Sequence, residues 1–88
     1  MVTVLIVDDD PKLLNMLRRT LRYEGFRVLS ATNGNEALAE LRARRPDVVI
    51  LDWFMPGLDG LSVLQRMRAQ GDKTLVLMLT ARDEVARS

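Results

Sequence analysis

Four short apolar runs, VTVLIV (residues 2–7), RVLSA (27–31), DVVIL (47–51) and TLVLML (74–79), are spaced so that each gap holds one segment of helical periodicity. The first, third and fourth runs are apolar without alternation, the pattern of strands covered on both faces in a parallel sheet flanked by helices. The second is weaker and suits an edge. In PKLLNMLRRTLRYEG, Leu13, Leu14, Leu17 and Leu21 recur at helical spacing, Pro11 takes the first helical position and Gly25 follows the end. NGNEALAELRARRP puts Ala37, Leu38 and Leu41 on one face and stops before Pro46, which disfavours helical geometry in its predecessor. DGLSVLQRMRAQG places Leu61, Leu64 and Met67 on a face and ends at Gly71. The order βαβαβαβ requires right-handed crossovers and an open, doubly wound parallel sheet, an α/β fold.

A chain of 88 residues without an internal repeat has room for one domain, and such a domain buries only roughly 60–65% of its unfolded surface. Its stability margin is thin. The net charge of +1 and the absence of a long basic block argue against a nucleic-acid groove, and Arg42, Arg44 and Arg45 read as a solvated helix end. With no cysteine and no histidine, thiolate metal sites, disulfides and imidazole chemistry are excluded. The N-terminal apolar run is too short to span a bilayer and lacks a basic leader, so a cytoplasmic chain without membrane contact is expected.

In open α/β sheets, functional groups gather beyond the carboxyl ends of the strands. Here the first strand runs into Asp8, Asp9 and Asp10, the third into Asp52, and the fourth into Thr80. Carboxylates held about 4 Å apart repel by roughly 4 kcal/mol per pair at an effective dielectric near 20. A hard divalent cation with oxygen ligands offsets that repulsion, and Mg²⁺ is favoured because it accepts a few carboxylates and keeps waters for phosphate oxygens. Asp52 beside such an ion can attack a phosphoryl group. Other acidic residues have structural readings. Asp10 before Pro11 is a helix N-cap, Asp59 before Gly60 a turn or cap residue, and Asp47 a strand-entry residue. Pro56 and Gly57 shape a turn; Trp53 is expected to pack over the loop; Met55, Met67 and Met78 are expected to be packing residues.

VLIVDDDPKLL, DVVILDWFMPGLDG and VLMLTA, in this order and spacing, resemble the receiver domain of bacterial two-component response regulators. The resemblance covers essentially the whole chain. It implies a flavodoxin-like, CheY-like fold with Asp52 as phosphoacceptor, Mg²⁺ held by Asp8, Asp9, Asp52 and the Phe54 backbone carbonyl, Thr80 as switch hydroxyl and Ala81 as the small residue giving access to it. The phosphoryl donor would be a phosphohistidine on a sensor histidine kinase. Phe54 and Arg82, two places after Asp52 and Thr80, would modulate loss of the phosphoryl group.

The resembled fold has five strands in the order 2-1-3-4-5, whereas residues 1–88 reach only the start of a fourth helix, in ARDEVARS. The expected architecture is therefore four strands in the order 2-1-3-4 with three helices, the N-terminal part of a receiver and a fragment of a longer regulator. The fifth strand's lysine has no counterpart, since Lys73 lies at the opposite end of the fourth strand. That strand and the first helix lose a covering neighbour, so a homodimer or an exchanged element is expected, with DNA reached only through an absent output domain. Two other functions compete. One is an unphosphorylated dimerisation or binding module. The other is a Mg²⁺-dependent phosphohydrolase with an Asp nucleophile, of the haloacid dehalogenase-like group, for which Lys12 stands where Thr or Val is wanted.

Overall fold

A computed structural model of the chain describes residues 1–79. Within them run β1 (Thr3–Val7), α1 (Pro11–Tyr23), β2 (Arg27–Ala31), α2 (Gly34–Arg44), β3 (Val48–Asp52), α3 (Gly60–Ala69) and β4 (Leu75–Leu79). The expected start of a fourth helix, together with Thr80, Ala81 and Arg82, lies outside the described residues. Each helix opens on a side-chain cap. Asp10 accepts the Lys12 amide, Asn33 the Glu36 amide and Asp59 the Ser62 amide, satisfying backbone donors that a helix start leaves over. Thr32 closes the α2 cap by donating both its amide and its hydroxyl to Glu36.

The strands form one parallel sheet in the order β2-β1-β3-β4. Leu5 pairs with Leu29 on one side and Val49 on the other, and Val7 pairs with Ala31 and Leu51. At the far end Asp47 and Thr3 exchange two bonds, each 2.8 Å, which anchors β3 beside β1 and makes the strand-entry aspartate a register pin.

Successive strand residues point to opposite faces, and each face has its own core. Leu5, Val7, Val49 and Leu51 meet Ala37, Leu38 and Leu41 of α2 and Val63 and Met67 of α3. Val4, Ile6 and Val28 meet Leu14 of α1, with Leu17, Leu21 and Phe26 around it. Burying each such side chain contributes about 1.5–3 kcal/mol. The buried stripe of α3 is Gly60, Val63 and Met67, while Leu61 is exposed and Leu64 half-buried. The expected Leu61–Leu64–Met67 stripe thus keeps Met67 but is rotated by roughly 60°, with Gly60 drawn against the end of β3.

Non-alternating apolar runs predict strands covered twice, which holds for β1. On β4, Leu75 and Leu77 are 61% and 52% exposed, while Val76 and Met78 pack against the α2/α3 core. Met78 is therefore half-buried rather than a full core residue. One face of β4 carries apolar side chains with no described element over them.

Candidate functional site

From β1 the chain crosses through α1 to β2, then returns past β1 to β3, so the connections leaving β1 and β3 cover opposite faces of the sheet. A crevice opens at such a switch point, beyond the carboxyl ends of the two strands. The last β1–β3 pair is Val7 with Leu51, so the next residues, Asp8 and Asp52, emerge side by side. Both are buried, at 7% and 8% exposure, and Asp9 beside them is exposed. One carboxylate oxygen from each of the three lies within 4.8 Å of the others.

Burial, first of all, pushes the Asp8 carboxyl above its ordinary value; the Asp10 amide, 2.8 Å away, pulls it down, and the charges of Asp52, Asp9 and Asp10 push it up again. At this spacing each charged pair repels by roughly 3 kcal/mol at an effective dielectric near 20. Three oxygen donors with that burden suit a hard divalent cation, and their carboxylate chemistry fits Mg²⁺. Asp10 takes no place in the cluster: it caps α1, as Asp59 caps α3.

After Asp52 the chain makes a short loop. The Trp53 amide donates to Leu79 of β4, the Trp53 carbonyl accepts the Gly60 amide at 3.0 Å, and the Phe54 amide donates to Asp52 Oδ1 at 3.2 Å. Met55 is buried under the loop, and Gly57, at φ 74°, takes a left-handed turn that a side chain would strain. Trp53 is exposed and its ring leans on Phe54 with centroids 6.5 Å apart, so its packing partner is the neighbouring ring rather than the core. Arg42 and Arg45 line a polar cleft with Gln70, Asp72 and Thr74 at the C-terminal ends of α2 and α3, which lie at the other end of the sheet.

Gly60 is the residue whose importance the sequence hid. A Cβ on it would overlap the Asp52 carbonyl oxygen and stand 2.9 Å from Trp53 Cα. Its backbone is not in the left-handed region, so the need for glycine is one of space. Gly34 is similar, since a Cβ there would sit 2.6 Å from the Leu58 carbonyl oxygen. The only available signal was a glycine at the first position of a helix, where local conformation does not demand one.

Residues 4–87 match the family model of the response regulator receiver domain. The chain is 48% identical over 84 residues to the probable transcriptional regulatory protein TcrX of Mycobacterium tuberculosis, covering 96% of this chain and 36% of that one. It thus spans about a third of the length of that curated relative. Response regulator TrrA of Thermotoga maritima, solved in complex with Mg²⁺-BeF, superposes with a TM-score of 0.89 at 35% identity, over 100% of this chain and 76% of that one. A structure of histidine kinase ThkA in complex with TrrA matches with a TM-score of 0.85 at 38% identity, over 92% of this chain and 70% of that one. With four parallel strands in the order 2-1-3-4 and its acidic residues at their carboxyl edge, the chain belongs to the response regulator receiver domain family.

Proposed function

We propose that the chain accepts a phosphoryl group on Asp52 from a phosphohistidine of a sensor histidine kinase. The observation that carries this reading is the convergence of Asp8, Asp9 and Asp52 to within 4.8 Å beyond β1 and β3. A carboxylate oxygen of Asp52 forms the new bond to phosphorus as the phosphorus–nitrogen bond of the donor breaks, and the imidazole leaves with the electron pair. Asp8, Asp9, Asp52 and the Phe54 carbonyl would hold Mg²⁺. When bound, it supplies neutralisation of the phosphoryl oxygens. The Phe54 amide fixes one oxygen of Asp52. Burial of Asp8 and Asp52 keeps the electrostatics of the site strong by limiting solvent around them.

On this reading Thr80 is the switch hydroxyl, Ala81 leaves access to it, and Phe54 and Arg82 govern how fast water removes the phosphoryl group. The chain corresponds to a receiver over residues 4–87, acts in the cytoplasm, and reaches DNA only through an output domain. It acts as a signalling switch, with catalysis limited to its own phosphorylation and dephosphorylation. The kinase partner is supported by the complex of ThkA with TrrA, and Mg²⁺ by the TrrA complex with Mg²⁺-BeF. No helix among the described residues is long and apolar enough to cross a membrane.

Exposed Leu75 and Leu77 favour a second reading, in which the chain is a binding module that pairs with another copy without phosphorylation. Incubation with acetyl phosphate and Mg²⁺, followed by intact-mass measurement, separates the two. Gain of one phosphoryl group, abolished in Asp52→Asn, is the expected result. No gain in the parent chain would favour the binding module.

A further inference from the structure

The amide of Gly60 belongs to the first turn of α3, where helix donors have no partner within the helix. It is spent on the Trp53 carbonyl, 3.0 Å away. That carbonyl shares one peptide plane with the Phe54 amide. The peptide is trans, and in a planar trans peptide the C=O and N–H point in opposite directions. Holding the oxygen toward α3 therefore aims the Phe54 N–H the other way, at Asp52 Oδ1, 3.2 Å distant.

Bare space at Gly60 is what permits this. Its Cα presses so closely on the end of β3 that a Cβ would overlap the Asp52 carbonyl oxygen and stand 2.9 Å from Trp53 Cα and 3.0 Å from the Asp52 carbonyl carbon. Those neighbours are backbone atoms, which cannot swing aside as the tip of a side chain can. On the opposite side, the Trp53 amide is bonded to Leu79 of β4, so the residue after Asp52 is fixed from the strand side and from the helix side at once. Any added atom at Gly60 must push α3 away or rotate the Trp53–Phe54 peptide.

We infer that Gly60 is a positioning residue that orients the Trp53–Phe54 peptide and, through the Phe54 amide, sets the rotation of the Asp52 carboxylate for phosphoryl acceptance. Its effect on phosphorylation rests on the reading of Asp52 as phosphoacceptor. Its effect on the peptide does not.

Two variants test it. Gly60→Ala adds the Cβ, and a backbone ester at position 60, made by chemical ligation, replaces the N–H by an oxygen that cannot donate and adds no side chain. Amide hydrogen exchange is read by NMR at Phe54, Trp53, Val49 and Leu51, and the rate of phosphorylation by acetyl phosphate with Mg²⁺ is read by intact mass. In both variants the Phe54 amide should lose its protection while Val49 and Leu51 keep theirs, and phosphorylation should slow by about tenfold, as expected for a misplaced nucleophile. In the ester, the Trp53 amide should stay protected as well. A merely structural role would lower protection at all four amides together, and that result overturns the proposal. So does an unchanged Phe54 amide, or a Phe54 amide that loses protection while phosphorylation proceeds at the parent rate. If the parent chain takes up no phosphoryl group, the reading of Asp52 fails, and the Phe54 amide alone then decides whether Gly60 orients the peptide.

Discussion

Asp8 holds its proton more tightly than an ordinary aspartate, mainly because burial penalises the charged form. For a carboxyl raised in the folded state, protonation favours folding fully below the ordinary value of 3.8, and that advantage is lost as pH rises through the folded value. At neutral pH and without metal, charged Asp8 therefore opposes folding. Asp8→Asn, which keeps an acceptor for the Asp10 amide and removes the buried charge, should raise stability in chelator. Millimolar Mg²⁺ should stabilise the parent and narrow that gap; thermal denaturation with and without the ion measures both. Asp72 has the opposite sign. The Thr74 hydroxyl, foremost, lowers its value against a partial burial penalty, assisted by the Thr74 amide and by Arg68 and Arg45. Its contribution is present above 3.8 and disappears as pH falls through the folded value. Thr74→Val should cost about 0.5–1 kcal/mol at neutral pH, Asp72 being partly solvated, and progressively less in acid. Urea unfolding across that range gives the comparison, and a cost independent of pH would assign it to packing.

At the scale of elements, the three described helices share one construction: an Asp or Asn cap at the carboxyl edge of the sheet and arginine in the last turn at the far edge. Both features complement the helix dipole and its unpaired ends. The ends of the helices differ. α1 and α3 are followed by Gly25 and Gly71 at positive φ, whereas α2 ends on Arg45, whose φ of 48° puts a side chain where glycine is usual. A left-handed residue with a Cβ costs about 1 kcal/mol or more. Arg45→Gly should therefore raise the melting temperature, by roughly 0.5–1 kcal/mol in free energy after the loss of a cation near the helix end. A fall in melting temperature would show that attraction of the guanidinium to Asp72 and to the α2 carbonyls outweighs the strain.

For the whole molecule, the decisive feature is the uneven cover of the sheet. β1 is buried on both faces, and β4 shows Leu75 and Leu77 to solvent beside the half-buried Val48 and Ile50 of β3. Apolar area of this kind is worth about 25 cal/mol per Å² when covered. Under the proposed pairing, the chain should self-associate in sedimentation velocity at high micromolar concentration, and the double variant Leu75→Lys, Leu77→Lys should sediment as a monomer. Equal behaviour of the two would place any interface elsewhere.

Much of this was legible in the linear chain. Apolar runs separated by helical periodicity specify the parallel sheet because strand pleat and helix turn impose different spacings on the same side chains. A carboxylate at the end of a buried strand likewise marks Asp52, and Asp10 and Asp59 declare themselves as caps because a cap is satisfied within three residues. What depended on residues distant in sequence was decided only by the fold. The register that places Asp8 beside Asp52 comes from the pairing of β1 with β3, fastened by Thr3 and Asp47 at the far end. The rotation of α3 that exposes Leu61 follows from the seat of Gly60 against Asp52, and the exposure of one face of β4 from what does and does not lie over it. Local sequence sets what each segment can form, because dihedral preference, capping and periodicity act within a few residues; distances between segments belong to packing, where an excess of one Cβ decides how closely two backbones meet.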